Sequence, residues 1–110
     1  NATVIKVSTG AIENMKIAQV TNLARTIDIL KTNGFWIVGT DMNGTPYDQI
    51  DYQGKIGIII GNEGNGMSRI VRESCDFIAS IPMIGTTNSL NASVATGIMI
   101  YEAIRQRKQG

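Results

Sequence analysis

Apolar residues occur along the chain in short uninterrupted runs that are separated by segments with helical spacing. Three runs are mainly apolar, at residues 35–40, 55–60 and 77–82, and a shorter run covers residues 17–20. Uninterrupted runs of this length are typical of strands that are covered on both faces of a sheet. The pattern therefore predicts four strands, whereas residues 4–7 fit either a strand or a loop.

The spacing of apolar residues is most clearly helical between the first and second predicted strands. Leu23, Ile27 and Leu30 lie at i, i+4 and i+7, which places them on one face of a helix. The polar pair 21–22 provides a start signal for this helix. The Asn-Gly pair 33–34 provides a stop signal, because glycine accepts the left-handed conformation without a Cβ clash. We expect a helix whose apolar face packs on the sheet.

Three more helices are predicted from the same kind of spacing. A short helix capped by Ser8 runs through residue 15, a second covers residues 67–74, and a long one covers residues 89–108. The residues expected to share an apolar face are, helix by helix, Ala11, Ile12 and Met15; Met67, Ile70 and Val71; and Leu90, Val94, Ile98, Tyr101 and Ile104.

The segments between these elements read as loops. Residues 41–46 are rich in turn formers, and residues 47–53 are polar and irregular, with room for one helical turn. The predicted order is β-α-β-(loop)-β-α-β-α, and such alternation favours an α/β fold with a largely parallel sheet flanked by helices. With 110 residues, we expect a single domain spanning residues 1–110.

The composition restricts the chemistry more than the charge does. The chain contains no histidine, which removes histidine-based catalysis and the commonest metal ligand, so no metal site is expected. Its single cysteine, Cys75, excludes an intrachain disulfide and favours a reducing, cytoplasmic compartment. The net charge of +1 neither demands nor excludes a nucleic-acid partner. No apolar run reaches the roughly 18 residues that a membrane span needs.

A glycine-rich loop follows the strand predicted at residues 55–60. Gly61, Gly64 and Gly66 allow the backbone to approach a ligand closely, but the spacing fits neither a P-loop nor a dinucleotide-binding fingerprint. A purely structural turn therefore remains an alternative. Glu63 within the loop is either a solvated carboxylate or a ligand contact.

A second polar loop, residues 85–93, joins the last strand to the long helix. Ser89 is a plausible helix cap, and Asn88 and Asn91 could satisfy loop backbone groups instead of a substrate. Backbone N–H groups at such a helix start also hold polar ligand groups well. Because the chain has no Ser-His-Asp set and no Cys-His pair, any chemistry here would depend on positioning and polar stabilisation.

These loops carry a family resemblance. The segments IIIGNEGNGM (58–67), IPMIGTTNSLNASVATGI (81–98) and WIVGTDMNG (36–44) resemble the SpoU/TrmH-type RNA ribose 2′-O-methyltransferases of the SPOUT superfamily. The nearest subgroup is the bacterial enzymes that methylate a guanosine of large-subunit ribosomal RNA. The resemblance implies a C-terminal trefoil knot, a homodimer formed through the last helix, and S-adenosylmethionine bound within the knot loops.

The resemblance also implies site residues. Catalytic roles fall on Glu63, Ser89 and Asn91. The implied cofactor-binding residues are Gly39, Thr40, Gly61, Asn62, Glu63, Gly64, Ile81, Met83, Ser89, Leu90 and Asn91. A sulfonium methyl group is already a strong electrophile, so such a site mainly has to align it with the ribose 2′-hydroxyl.

One departure from the family pattern bears on activity. The family places an Asn and an Arg, the latter assigned to activating the 2′-hydroxyl, on a strand and helix upstream of these motifs. No counterpart lies within the chain, because Arg25 belongs to a different element. We expect a domain that lacks its first strand and helix and that exposes apolar sheet as a result. Ala92, which stands where a larger aliphatic residue is common, is expected to alter packing only.

Three functional hypotheses follow. The first is S-adenosylmethionine-dependent methyl transfer to a ribose 2′-hydroxyl of RNA, with a guanosine of large-subunit ribosomal RNA as the target. The second is a catalytically incomplete module of the same family that binds the cofactor and dimerises. The third is an unrelated α/β domain that binds a small nucleotide. Turnover on ribosomal RNA separates the first from the second, and cofactor choice separates both from the third.

Overall fold

A computed structural model of the chain describes residues 2–7, 15–61, 68–82 and 89–109. The elements follow in the order β1 (Ala2–Val7), β2 (Met15–Val20), α1 (Leu23–Thr32), β3 (Trp36–Pro46), a 3₁₀ turn (Tyr47–Gln49), β4 (Ile56–Gly61), α2 (Arg69–Ser74), β5 (Phe77–Ser80) and α3 (Ser89–Gln109). No helix in these ranges is long and apolar enough to cross a membrane.

The five strands form one mixed sheet in the order β2-β1-β4-β3-β5. Strand β3 pairs in parallel with β4 and β5, whereas β1 pairs antiparallel with both β2 and β4. The prediction of an α/β fold is confirmed, but the prediction of a largely parallel sheet is wrong for the β1 pairings. The connection at residues 8–14 is shorter than a parallel crossover requires, so β1 and β2 pair antiparallel.

Strand β4 lies at the centre of the sheet and of the core. Five of its six residues are buried, with Ile56, Ile58 and Ile60 in the cluster beneath α3 and Ile59 in the cluster beneath α1 and α2. The prediction of a strand covered on both faces is confirmed here. Both edges of β4 are also paired, by β1 and by β3, so the expected exposure of apolar sheet is not observed at this strand.

Helix α1 confirms its sequence signals in detail. The side chain of Asn22 caps the first turn, where Oδ1 accepts a hydrogen bond from the Arg25 backbone N–H at 3.1 Å. Ile27 and Leu30 are buried beneath the helix. The helix ends before Gly34, which has a φ of +86° and so adopts the conformation that favours glycine.

The predicted helix from Ser8 to Met15 is not supported at its end. Residues 8–14 lie outside the described ranges, and Met15 is the first residue of β2. Helix α2 also differs from prediction, because Ile70 is 72% exposed although its neighbour Val71 is buried as expected. Helix α2 is capped by Ser68, whose Oγ accepts from the Val71 backbone N–H at 3.3 Å. Met67 lies outside the described residues.

Strand β3 continues through the segment that was predicted to be a loop. Its register with β5 passes from Thr40 opposite Ala79 to Thr45 opposite the same residue, so residues 41–44 bulge out between two pairings. The turn formers at 41–46 therefore serve a bulge, and the loop prediction is wrong. Gly44 is needed there, because a Cβ would lie 2.6 Å from the Ile78 carbonyl oxygen. The single 3₁₀ turn that follows confirms the helical turn expected within residues 47–53.

Helix α3 turns a different face to the sheet from the one that its large residues mark. The buried face consists of Ala92, Ala95, Met99 and Ala103. Val94 is 45% exposed and Tyr101 is 70% exposed, so the predicted apolar face points away from the sheet. Small residues bring the helix close to the strands, and the larger residues remain for another surface.

Candidate functional site

The carboxyl ends of β3, β4 and β5 meet at one edge of the sheet, because these three strands are parallel. Gly39 pairs with Ile59 on one side and with Ile78 on the other, so the part of β3 that precedes the bulge ends level with β4 and β5. Gly61 ends β4, and Ile81 follows β5 directly. Open α/β sheets bind ligands at this edge.

Four of the predicted cofactor residues are brought together in this way from three strands, namely Gly39, Thr40, Gly61 and Ile81. Asn62, Glu63, Gly64 and Met83 lie outside the described residues. Ser89, Leu90 and Asn91 form the first turn of α3, and only their backbone is described.

The direction of α3 carries its first turn toward the same edge. Near the other end of the helix, the Arg107 guanidinium donates to the Tyr52 carbonyl at 3.1 Å and to that of Gly54, two residues before β4 begins. From there back to Ala92 is about 22 Å along a helix axis. Helix α3 thus runs antiparallel to β4, and its N-terminal turn points to the carboxyl ends of the strands.

The side chain of Thr40 already has a structural task. Its hydroxyl donates to the Ile59 carbonyl oxygen at 3.0 Å and ties β3 to β4 just before the edge. What Thr40 and Gly39 can offer a ligand is therefore mainly main-chain groups. Among the described residues, no atom lies within 4 Å of a Cβ added at Gly61.

An ion pair that the sequence analysis missed lies beside this edge. Arg72 of α2 forms an ion pair with the Asp41 carboxylate, and its second terminal nitrogen donates to the Asn43 carbonyl oxygen at 2.7 Å. The Arg72 side chain is 38% exposed and that of Asp41 is 20% exposed. In the sequence, Asp41 looked like a turn residue and Arg72 like part of a polar helix face, so neither gave a signal.

The single cysteine is not poised for chemistry. Burial, reinforced by the neighbouring Asp76 carboxylate, raises the pKa of the Cys75 thiol to about 11. Its Sγ donates to the Val71 carbonyl oxygen at 3.3 Å. The thiol is therefore protonated near neutral pH and is a poor nucleophile. Within the described ranges, no group of three or more potential ligand residues could hold a metal ion.

A buried polar network, here called the lock, fixes the C-terminal half of α3. Glu102 is only 4% exposed and accepts hydrogen bonds from Arg105 Nη2 at 2.6 Å and from Gln106 Nε2 at 2.8 Å. The hydrogen bond from Arg105 outweighs burial and lowers the pKa of Glu102. Gln106 also accepts from the Tyr52 backbone N–H at 2.8 Å and donates to the Ile50 carbonyl at 2.7 Å.

The lock therefore joins α3 to the segment between the 3₁₀ turn and β4. Tyr52 is fully buried, and its hydroxyl donates to the Tyr47 carbonyl oxygen at 2.6 Å. Burial raises the pKa of this phenol well above its ordinary value. An open groove of about 560 Å³, lined in part by Glu102 and Arg105 of the lock, separates the 3₁₀ turn from the outer face of α3, where Val94 and Tyr101 lie.

The chain is similar in sequence to known proteins. The model of the SpoU rRNA methylase family matches residues 1–101. A protein of Staphylococcus saprophyticus assigned to the TrmH family of tRNA/rRNA methyltransferases is 57% identical over 106 residues. That alignment covers 96% of this chain and 43% of the relative, so the chain spans less than half the length of the relative.

Solved structures give the same result. The TrmH/SpoU tRNA modifying enzyme of A. aeolicus is 39% identical, with a TM-score of 0.68 over 82% of this chain and 47% of its own. An RNA 2′-O ribose methyltransferase is 29% identical, with a TM-score of 0.68 over 76% of this chain and 33% of its own. The SpoU methyltransferase AviRb of Streptomyces viridochromogenes, solved in complex with the cofactor AdoMet, is 37% identical, with a TM-score of 0.66 over 83% of this chain and 37% of its own. The chain belongs to the SpoU rRNA methylase family of RNA methyltransferases.

Proposed function

We propose that the protein containing this chain transfers a methyl group from S-adenosylmethionine to a ribose 2′-hydroxyl of RNA, with a guanosine of large-subunit ribosomal RNA as the target. The observation that carries the proposal is the alignment of Gly39, Thr40, Gly61 and Ile81 at the carboxyl edge of three parallel strands. Membership of the family supports the reaction class, and the 2′-O ribose methyltransferase among the structural neighbours supports the acceptor atom.

The residues at this edge fit the cofactor. S-adenosylmethionine supplies an activated methyl group. The chain therefore mainly has to bind the cofactor, orient its methyl group and exclude water, and it has less need to activate the reacting groups. Gly61 has no Cβ, so a ligand can approach its backbone closely, and the strand ends offer main-chain donors and acceptors. We assign cofactor contacts also to Asn62, Glu63, Gly64, Met83, Ser89, Leu90 and Asn91, and catalytic roles to Glu63, Ser89 and Asn91.

A second candidate function is a cofactor-binding and dimerisation module without turnover. The observation in its favour is that Thr40 uses its hydroxyl to tie β3 to β4, so that the described residues at this edge offer a ligand mainly main-chain groups, which bind a cofactor without activating a hydroxyl. Cofactor binding without methyl transfer would distinguish this module from the enzyme.

The working form that we propose is a homodimer built on the outer face of α3. Val94 and Tyr101 are exposed on that face, and the groove beside the 3₁₀ turn offers a depression for a second copy. Large apolar residues on an otherwise well-packed helix are typical of an interface.

Two further parts of the proposal concern the path of the backbone and the location of the protein in the cell. The proposal includes a C-terminal trefoil knot, and a crystal structure with S-adenosylhomocysteine that traced the backbone without a knot would contradict it. A cytoplasmic location agrees with the single, protonated cysteine. Cell fractionation tests the location, and recovery with the envelope would contradict it.

The deciding experiment for function is calorimetric titration of the chain with S-adenosylhomocysteine, beside Asn91→Ala and the exposed amide control Gln19→Ala. We expect binding by the wild type and by Gln19→Ala, and loss of binding in Asn91→Ala. Incubation with labelled S-adenosylmethionine and ribosomal RNA, followed by alkaline hydrolysis, then reports ribose methylation as one protected linkage. Binding without a protected linkage supports the second candidate, and a folded wild type that does not bind contradicts both.

A further inference from the structure

Residues 41–44, here called the shelf, follow Gly39 and Thr40 directly at the carboxyl edge. The shelf lacks regular pairing with β5, because the register passes from Thr40 to Thr45 opposite the same Ala79. A bulge of this length needs other bonds to hold one shape. Bulges next to functional sites commonly set the direction of the groups that border the site.

Two polar side chains supply those bonds from different elements. Ser80, at the end of β5, donates from Oγ to the Met42 carbonyl oxygen at 3.1 Å. Arg72 of α2 forms an ion pair with Asp41 and donates to the Asn43 carbonyl oxygen at 2.7 Å. The planar guanidinium therefore holds the first and third residues of the shelf at the same time, which a point-like ammonium cannot do equally well.

Helix α2 is itself anchored to the core. Ser68 caps its first turn, and Val71, the neighbour of Arg72, is buried in the cluster beneath α1 and α2. Arg72 thus ties the shelf to an element that is fixed on the sheet. A displacement of about 1 Å at a binding site is enough to weaken binding strongly.

We propose that Arg72, acting through Asp41 and the Asn43 carbonyl, is a positioning residue that holds the shelf in one place beside Gly39 and Thr40, the predicted cofactor contacts of β3. The inference rests on the proposed use of S-adenosylmethionine. It assigns to Arg72 no contact with cofactor or RNA. It predicts that the loss of the Arg72 bonds to the shelf weakens cofactor binding more than it weakens the fold.

The test compares four variants of the chain in titrations with S-adenosylhomocysteine and in thermal melts. We expect Arg72→Gln and Asp41→Asn each to raise Kd by about tenfold or more, since both release the shelf. Arg72→Lys keeps one of the two contacts, so its Kd should lie between the values for Arg72→Gln and the wild type. Arg69→Gln is the matched control, because the Arg69 side chain is 91% exposed and its partner among the described residues is Glu73 on the same helix.

Each outcome bears on the inference separately from the proposed function. A positioning role is supported by lower affinity for S-adenosylhomocysteine in Arg72→Gln and Asp41→Asn. In that case Arg69→Gln binds S-adenosylhomocysteine as the wild type does, and the affinity for a labelled RNA hairpin stays at the wild-type value. Lower melting temperatures with unchanged Kd overturn it and leave the proposed function standing. A well-folded wild type without measurable affinity overturns both. In turnover assays, the change should appear in the KM for S-adenosylmethionine and not in kcat.

Discussion

Helices α1 and α3 attach to opposite faces of the same sheet by different means. Helix α1 inserts branched apolar side chains, with Ile27 fully buried and Leu30 nearly so. Helix α3 instead presents three alanines and Met99 to the strands and adds the polar lock around Glu102. The first arrangement depends on volume, whereas the second depends on close approach and on hydrogen bonds, and it leaves the larger residues of α3 available for a partner.

The largest effect on stability should come from removing a buried side chain beneath α1. Ile27→Ala removes a fully buried side chain and leaves a cavity, so we expect a loss of about 2–5 kcal/mol in the free energy of unfolding. Ile29→Ala on the same helix is the control, because Ile29 is 52% exposed and should cost little. Chemical denaturation of both variants measures the difference. Equal losses would show that α1 does not depend on its inward face.

A different kind of change is expected on the outer face of α3. Tyr101 is 70% exposed, so Tyr101→Ser should leave the unfolding of the separated chain nearly unchanged and weaken self-association. Tyr101→Phe keeps the aromatic ring and should sediment like the wild type. Analytical ultracentrifugation across a concentration series gives the association constants. A Ser variant that associates as the wild type does would remove α3 from the proposed interface.

The smallest effect is confined to acid and concerns the lock. The pKa of Glu102 is lowered in the folded chain, chiefly by the hydrogen bond from Arg105, against an ordinary value of 4.5. A lowered carboxyl pKa contributes stability that is present above the ordinary value and is lost as the pH falls through the folded value. Stability should therefore fall below pH 4.5 less steeply in Glu102→Gln than in the wild type. Thermal melts across an acidic pH series measure the difference, and Gln19→Ala, at an exposed residue without a titratable group, should keep the wild-type profile.

The same comparison shows why the sequence predicted α1 better than α3. Ile27 and Leu30 carry enough hydrophobicity to mark an inward face, and Asn22 and Gly34 mark the ends. In α3 the inward residues are mostly alanines, which give almost no signal, so the pattern marked Val94 and Tyr101 on the outward face instead. Periodicity identifies the larger apolar face and does not say which partner it meets.

Long-range pairing accounts for the other errors. The composition of residues 41–46 is that of a turn, and only the return of β5 beside Thr45 and the close contact of Gly44 with Ile78 make the segment part of a strand. The antiparallel pairing of β1 with β4 joins residues that are 49 to 59 positions apart, from Val7 with Ile56 to Ala2 with Gly61, which no local pattern reveals. Arg72 and Asp41 were missed for the same reason. The cofactor and catalytic residues came from the resemblance, and they stay predictions.

The lock also constrains the order in which segments of the chain can complete their folding during synthesis. Gln106 provides the acceptor for the Tyr52 backbone N–H and the donor for the Ile50 carbonyl, yet it follows Tyr52 in the chain by 54 positions. At a synthesis rate of 5–20 residues per second, the ribosome needs roughly 3 to 11 s to add them. During that interval the segment before β4 has backbone groups whose final partners do not yet exist. The last helix is therefore the step that completes the centre of the fold, and a nascent chain halted before residue 106 should expose Tyr52 to proteases.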